Sequence, residues 1–439
     1  MPRMIAKAAN YLTIHLDSLL SIAIRIGGVG LGFLITLFIG RAMGPEALGE
    51  YGVITQTGMF LSLVCAGGLD LSVIRSFSEA RAKKVLPRTK SFGKLVLVSS
   101  LLLLLVSAVV WALEGLIREK LLEGSTTPYA IVFLIAIAVS RSFTRLTSGF
   151  LRSQALYVFS NVVEVLIIPI IVVSLILLSV TYTLFAVLLS TALAGLVAAG
   201  VGLTTSLVKT SRSVDALDVP MSPLFKRAVP LWGVAVSKNL SDWYSLAVVA
   251  ALLSLYDAGI FRVAMQVASA LPVITIGIFS VFASKFGVAH SKGDFAAIAR
   301  LARSATVLSC LLVLPVGLFT IIFTDPILTI VGPEFNQGAP ILQILLAGQI
   351  LYVCTGPSGL VLAMTGNERI NLLFTIVSLV VLLIALPLAA QNFGLLGLVL
   401  VMSTILIVRN IASLVAVRKL TGVNILTGRY HPMQTSEIT

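Results

Sequence analysis

The sequence has 439 residues, of which 58% are hydrophobic and only 11% are charged, and its formal net charge is +13. Because soluble domains carry roughly 25% charged residues, this composition excludes a soluble domain. Apolar runs of about 20 residues, long enough to cross a bilayer as helices, recur along the chain. Strands of alternating polarity are absent, so the sequence predicts an all-α polytopic membrane protein.

The predicted elements begin with an interfacial N-terminal helix over residues 1–17, where apolar side chains follow helical spacing. About twelve transmembrane helices follow, near residues 19–40, 51–74, 93–113, 128–150, 156–180, 182–206, 228–253, 258–283, 303–323, 336–363, 370–390 and 394–416. The predicted domains are an N-terminal lobe (18–207), a cytoplasmic linker (208–227), a C-terminal lobe (228–417) and a cytoplasmic tail (418–439).

A glycine-rich hinge joins the first two predicted helices. It contains Gly40, Gly44, Pro45, Gly49 and Gly52, and these residue types are unfavourable inside a continuous helix. We therefore predict a tight turn between two antiparallel helices.

An internal repeat relates the two halves of the chain. The same offset of 210 residues separates the following pairs: Gly49 and Gly259, Gln56 and Gln266, Ser148 and Ser358, Asn161 and Asn371. Because each half has six predicted helices, an even number, both halves enter the membrane from the same side and form parallel repeats. Two six-helix lobes around a central cavity are the expected architecture, which is typical of transporters that work by alternating access.

Basic residues concentrate in every second connection. Seven Lys and Arg lie between Arg75 and Lys94, and the connection from Lys285 to Arg303 is also basic. The positive-inside rule therefore places both termini in the cytoplasm, in a multi-pass protein of the cell membrane. This rule accounts for the net positive charge without a nucleic-acid partner.

Polar residues inside the seventh predicted helix form one candidate site. Lys238 and Asp242 are four residues apart and share a helix face, with Asn239 between them. Ionisable groups are expensive in a bilayer, so they are functional candidates by default. A structural ion pair between the two is the alternative interpretation. Gln56 in the second predicted span and Gln266 in the eighth are further candidates for a polar cavity.

Arginines inside other predicted helices form a second set. Arg141 and Arg145 share a face of the fourth helix and Arg152 continues that row, whereas Arg25 and Arg262 lie in the first and eighth helices. The alternative for each is a side chain that snorkels to the headgroups, most easily for Arg152. A cavity rich in Arg and Lys suits an anion with several oxygens, such as a phosphate or pyrophosphate.

Acidic residues inside the predicted helices are fewer. Glu164 lies well inside the fifth helix and is expected either to pair with an arginine of the fourth or to couple transport to an ion. Asp242 is the second candidate for ion coupling, and Asp70 is expected at the membrane interface. The cysteines and histidines show no metal-ligand spacing, and no phosphate-binding loop for ATP is present, so we expect no metal and no cofactor.

The start of the chain resembles a known family. The hinge Arg41-Ala42-Met43-Gly44-Pro45-Glu46-Ala47-Leu48-Gly49-Glu50-Tyr51 is followed by a helix that ends in Gly67-Gly68-Leu69-Asp70 and by a basic loop. This is similar to the polysaccharide biosynthesis flippases, the Wzx-like transporters of the multidrug/oligosaccharidyl-lipid/polysaccharide exporter superfamily. The resemblance supplies no catalytic motif, so the candidate site residues depend on the charge argument alone.

The resemblance implies a flippase rather than an enzyme. Its substrate would be a polyprenyl-pyrophosphate-linked oligosaccharide, moved from the cytoplasmic to the outer leaflet among membrane lipids and driven by a proton or sodium gradient. The alternative within the superfamily is an ion-coupled multidrug or cation antiporter. A membrane-embedded glycan polymerase or glycosyltransferase would need a sizeable external loop, and a non-transporting scaffold would have no use for buried charges.

Overall fold

The computed structural model describes residues 2–82, 85–125, 127–178, 183–211, 216 and 218–431. The side chains of residues 2–19 and of a few others, Lys238 among them, lie outside the described part. The chain divides into two compact units, Met1–Trp243 and Tyr244–Thr439, and the division falls inside one helix. The lobe boundaries expected at residues 207 and 228 stay predictions.

Within its described residues, the first unit has ten helical elements, with a π-helical turn among them. They are α1 (Pro2–Ala66), α2 (Leu69–Ala82), α3 (Thr89–Ala112), α4 (Glu114–Leu121), α5 (Ala130–Ser153), α6 (Tyr157–Asn161), the π-helical turn (Val162–Leu166), α7 (Ile167–Leu178), α8 (Leu184–Val208) and most of α9 (Met221–Leu252).

The second unit begins with the end of α9 and finishes with a small β-hairpin. Its elements are α10 (Leu255–Ala268), α11 (Ala270–Ser291), α12 (Phe295–Ile322), α13 (Thr324–Val331), a 3-10 turn (Pro333–Gly338), α14 (Ala339–Cys354), α15 (Ser358–Met364), α16 (Glu368–Thr421), β1 (Val423–Asn424) and β2 (Arg429–Tyr430).

Helix α1 reverses direction at Gly44, as predicted for the hinge. Gly44 has φ 82° and ψ −179°, which breaks the helix, while Gly40, Gly49 and Gly52 remain helical, so the turn is much shorter than the predicted segment. A straight helix of 65 residues would measure about 98 Å, roughly three times the hydrocarbon thickness of a bilayer.

Contacts on either side of Gly44 show the reversal. The second arm of α1 runs parallel to α5, since Glu50 accepts a hydrogen bond from Ser125 before α5, and Asp70 after the arm contacts Gly149 near the end of α5. The first arm packs in the same parallel sense on α6 and the π-helical turn, which run antiparallel to α5. The two arms of α1 are therefore antiparallel.

Helix α16 also contains two antiparallel arms. Gly394, with φ 62° and ψ −154°, interrupts it. Phe374 and Val417 lie on opposite sides of Gly394 yet pack in the same buried cluster. In a straight helix these residues would be about 65 Å apart, so the chain must turn back at Gly394.

Nine helices in the described part of the chain are long and apolar enough to cross a membrane. Two of these contain the reversals at Gly44 and Gly394, so each holds two of the predicted spans, and α9 coincides with the predicted seventh span. The all-α polytopic fold is therefore confirmed. The second predicted span is shorter than expected, because Gly67 and Gly68, with φ 55° and 71°, end α1 before α2 begins.

The predicted offset of 210 residues recurs in the helix boundaries. Helix α4, Glu114–Leu121, and helix α13, Thr324–Val331, have the same length and lie 210 residues apart. Ser254 lies 210 residues after Gly44, and it is the extended residue that precedes α10. The repeat is therefore visible in these helix boundaries, although α5 is continuous whereas its counterpart is divided into α14 and α15.

The linker after α8 is fastened to the start of α3. Ser211 forms a parallel bridge with Arg88, and the Ser91 hydroxyl donates a hydrogen bond of 2.6 Å to Asp218. Arg88 lies 3.5 Å from the same carboxylate. The Ser91 hydrogen bond, followed by neighbouring basic side chains, lowers the pKa of Asp218 below its usual value. We call this group of contacts the linker clamp.

The segment predicted as a tail folds back onto the second unit. Val423 and Ile425 are fully buried, and Tyr430 stacks on Phe295 with ring centroids 5.8 Å apart. Arg303 donates a hydrogen bond of 3.2 Å to the Thr427 carbonyl. Residues 423–430 thus form a packed hairpin, a contact between distant segments that composition alone does not reveal.

Candidate functional site

Three arginines lie in a row on α5. Arg141, Arg145 and Arg152 are separated by four and seven residues, a spacing that places them on one face of the helix. Arg141 and Arg145 are half-buried. A row of like charges is unfavourable in a low-dielectric environment unless acidic groups lie opposite.

The segment after α5 supplies the opposite wall. Ala155, with φ 62°, helps to close a tight turn that brings α6 back along α5. Ser148 and Ser160 then join the two helices, since each hydroxyl donates to the other residue's carbonyl, at 3.3 and 3.0 Å. This antiparallel packing places the π-helical turn against the arginine row.

The π-helical turn carries Glu164 and presents two acceptors to α5. Its carboxylate forms an ion pair with Arg152, and its backbone carbonyl accepts a hydrogen bond of 3.2 Å from Arg141. A π turn widens the backbone hydrogen-bond ladder, and such turns occur frequently at functional sites. The predicted pairing of Glu164 with an arginine of the fourth helix is therefore confirmed, with Arg152 as the partner.

The first arm of α1 adds Arg25. Its guanidinium donates a hydrogen bond of 3.2 Å to the Asn161 side chain, at the junction of α6 and the π-helical turn. Close approach at this point depends on Gly28, because a Cβ atom there would collide with Val165. Arg25 itself is exposed, so its guanidinium is accessible from outside the packed helices.

Asp70 completes the cluster from the first turn of α2. One carboxylate oxygen, Oδ2, lies 3.7 Å from Nη1 of Arg145. Asp70 is only 8% exposed and is packed inside the first unit, while its expected depth at the membrane interface stays a prediction. The turn at Gly67 and Gly68 sets the position of Asp70. Two glycines in a sequence do not indicate whether the side chain that follows them is buried.

The assembled group, which we call the arginine cluster, contains four cations and two anions. Its members are Arg25, Arg141, Arg145, Arg152, Asp70 and Glu164, with Asn161 as a neutral acceptor. Two positive charges are therefore in excess. Guanidinium groups bind oxyanions in bidentate fashion, so this arrangement can hold a phosphate or diphosphate that competes with the two carboxylates.

Of the predicted site residues on α9, Asn239 and Asp242 have described side chains. The Lys238 side chain lies outside the described residues, so its pairing with Asp242 stays a prediction. Asp242 is exposed, and Gln56 is half-buried. The Asn239 amide donates a hydrogen bond of 2.8 Å to the Ala235 carbonyl of its own helix, which leaves its side-chain carbonyl as an acceptor.

Arg262 and Gln266 belong to the second unit. Both are half-buried on α10, one helical turn apart. Their predicted role in a polar cavity stays a prediction. Within the described residues, no group of three His, Cys, Asp or Glu side chains converges as a metal site would require.

Three members of the arginine cluster were not among the predicted site residues. Asp70 was expected at the interface, Arg152 was expected to snorkel, and Asn161 was noted only as part of the repeat. The excess of cations on α5 indicated in the sequence that such residues must exist, because these cations require acidic or neutral acceptors on a neighbouring helix. Only the packing identifies which residues these are.

Comparison with solved structures identifies the fold. The chain is similar to a lipid II flippase MurJ in an inward closed conformation, with a TM-score of 0.73 and 14% identity over 92% of this chain and 87% of that chain. It is also similar to an inward-facing multidrug resistance MATE family transporter of the MOP superfamily, with a TM-score of 0.71 and 14% identity over 94% and 99% of the two chains. A third similar structure is the MATE multidrug transporter DinF-BH, with a TM-score of 0.62 and 16% identity over 94% and 96% of the two chains.

Sequence comparison supplies the family. A search of curated proteins gives no match. The family model described as polysaccharide biosynthesis protein matches residues 16–283, which is more than half of the chain and includes every member of the arginine cluster. The predicted resemblance is thereby confirmed, and this chain belongs to the polysaccharide biosynthesis protein family.

Proposed function

We propose that this protein flips a polyprenyl-diphosphate-linked oligosaccharide from the cytoplasmic to the outer leaflet of the cell membrane. The observation that carries the proposal is the arginine cluster, which has an excess of two positive charges on apolar helices. Membership of the polysaccharide biosynthesis family supports the glycan part of the substrate. We infer transport rather than catalysis, because the similar solved structures are described as a flippase and as transporters.

The chemistry of the cluster favours a diphosphate over a cationic drug. Charged groups are costly in a bilayer, and an excess of arginine is stabilised when a multivalent oxyanion enters. A site for organic cations would need a surplus of carboxylates, whereas here each carboxylate is already opposed by an arginine. Asp70 and Glu164 would keep the arginines partly neutralised while no substrate is bound.

The basic connections support the direction of transport. We infer cytoplasmic termini because Lys and Arg concentrate in alternate loops. A lipid-linked sugar assembled on that side would then enter from the cytoplasmic leaflet. Alternating access between two repeat lobes, coupled to protons or sodium ions, is the mechanism that we infer, with Glu164 and Asp242 as the predicted coupling carboxylates.

Reconstituted vesicles test the proposal. The assay measures how fast a fluorescent polyprenyl-diphosphate sugar moves between leaflets for the wild type, for Arg141→Ala, and for Arg145→Ala combined with Lys238→Ala. We expect the variants to lose at least tenfold in rate, because each removes a cation from the candidate anion site. Arg118→Ala, which removes an exposed arginine paired with Glu114 on α4, is the control and should transport normally. Unaltered transport by the Arg145 and Lys238 double variant would contradict the cationic site.

A further inference from the structure

The position of Asp70 is fixed by two close backbone approaches. Gly68, directly before α2, lies against α9, where a Cβ atom would collide with the Ala228 carbonyl. Gly149 lies against Asp70 itself, and a Cβ atom there would collide with the Asp70 carbonyl oxygen. The carboxylate is therefore held beside α5 by backbone packing, independently of its own ion pair.

The side chain of Asp70 is buried but incompletely paired. Its Oδ1 atom is buried and has no hydrogen-bond partner among the described residues, and the backbone amide that acts on the carboxyl group is that of Leu71. Its Oδ2 atom lies 3.7 Å from Arg145, which is longer than the roughly 2.7–2.9 Å of a charge-assisted hydrogen bond. Buried carboxylates normally have their oxygens satisfied, because removal from water is expensive for the charged form.

The surroundings of Asp70 differ from those of Glu164. Glu164 forms a direct ion pair with Arg152, and its side chain is 27% exposed. The described charged groups that act on Asp70 are Arg145 and Arg152 from α5 and Glu164 from the π-helical turn. From α9, the neighbour at Gly68 is the uncharged Trp232. The side chains of Arg75 and Arg227 lie outside the described residues.

We propose that Asp70 is the proton-binding residue of the arginine cluster, and that its protonation releases Arg145 to a diphosphate substrate. A proton from solution binds Oδ1, the buried oxygen that has no partner, and the carboxyl becomes neutral. Arg145 keeps its charge and loses its counter-ion, so the excess in the cluster rises from two to three positive charges. In the binding equilibrium, dissociation of the diphosphate returns this proton to solution, and Asp70 pairs with Arg145 again.

This inference rests on the proposed function and deepens it, because it adds to the candidate anion site a proton-binding carboxylate that was not among the predicted site residues. It also has a thermodynamic consequence. If binding is accompanied by proton uptake, affinity must rise as the pH falls, by up to about tenfold per pH unit for one proton. A purely structural Asp70 would not change the number of protons bound.

Calorimetry in two buffers of different ionisation enthalpy tests the inference, with farnesyl diphosphate as the probe and the full-length protein in detergent. We expect wild type to take up about one proton more than Asp70→Asn on binding. The probe's own titration is common to both proteins and cancels in the comparison.

Near pH 7.5 the Asp70→Asn variant should bind about tenfold more tightly, because Arg145 is already released. Asp70→Glu should retain proton uptake, and Asp218→Asn, an exposed carboxylate of the linker clamp, should match wild type.

The outcomes separate the two proposals. Equal proton uptake and equal affinity in wild type and Asp70→Asn would overturn the role of Asp70 while leaving diphosphate binding intact. Weaker binding by Asp70→Asn, in protein whose melting temperature matches wild type, would also overturn it. If wild type binds neither farnesyl diphosphate nor a polyprenyl-diphosphate sugar between pH 5 and 8, the proposed function fails together with the inference.

Discussion

Gly149 lies directly against the backbone of Asp70: a Cβ atom at position 149 would be 3.0 Å from the Asp70 carbonyl carbon and would collide with its carbonyl oxygen. This contact brings the start of α2 onto α5. It also sets the distance between the Asp70 carboxylate and Arg145. A glycine in the fourth predicted helix thus determines the geometry of a site whose acid comes from a different helix.

Substitution of Gly149 tests this contact. Gly149→Ala should destabilise the protein by roughly 1–3 kcal/mol, because the added methyl group meets backbone atoms that cannot rotate away. Thermal unfolding in detergent, followed by tryptophan fluorescence, measures the change. Gly200→Ala is the matched control, since Gly200 is also helical and a Cβ atom there meets nothing within 4 Å. Equal melting temperatures for the two variants would show that α2 and α5 do not approach this closely.

Because Arg152 and Glu164 form an ion pair, we expect the stability losses caused by substituting them to be non-additive. Each side chain is about a quarter exposed, so loss of either partner should cost roughly 1–3 kcal/mol by leaving a poorly solvated charge. The double variant Arg152→Gln with Glu164→Gln should recover part of this loss, because it leaves no unpaired charge. Melting temperatures of the four proteins form the double-mutant cycle. Strictly additive effects would mean that the two side chains do not interact.

Substitution of Gly44 should lower the free energy of unfolding through backbone strain rather than through steric collision. Gly44→Ala places a side chain at φ 82° in open space, so the expected loss is roughly 1–2 kcal/mol from backbone strain alone. Gly32→Ala, which lies in the same helix with nothing within 4 Å of its Cβ position, should be neutral or slightly stabilising. Chemical denaturation of both variants makes the comparison. A Gly44→Ala variant as stable as wild type would contradict a positive φ at position 44.

The linker clamp predicts a pH-dependent contribution to stability. The hydrogen bond from Ser91 lowers the pKa of Asp218, so the folded state binds this proton more weakly than the unfolded state. The stabilisation is therefore present above the unfolded pKa of about 4 and is lost as the pH falls through the folded value. Melting temperatures at pH 6 and pH 3 should differ more in wild type than in Ser91→Ala. Glu123→Gln, an exposed loop residue outside the clamp, should behave like wild type.

The arrangement of helices was largely predictable from sequence. Hydropathy and length identify the membrane helices, because the bilayer requires apolar residues over a fixed distance. The hinge at Gly44 and the 210-residue repeat were also visible, since glycine at a break and matching residues at one offset are local signals. The break at Gly67 and Gly68 was anticipated only in part, because the family resemblance has the second helix end near these glycines whereas its predicted bounds run on to residue 74.

The arginine cluster was predictable only in outline. The sequence by itself determined that cations on one face of α5 needed anionic or neutral partners, because charges in a bilayer cannot stay uncompensated. It did not determine which carboxylate faces which arginine. The tertiary structure made that choice through the tight turn at Ala155, the π-helical turn at Glu164 and the contact of Gly149 with Asp70. Ion pairing acts over a few ångströms, so it depends on helix packing between residues far apart in the chain, which hydropathy does not record.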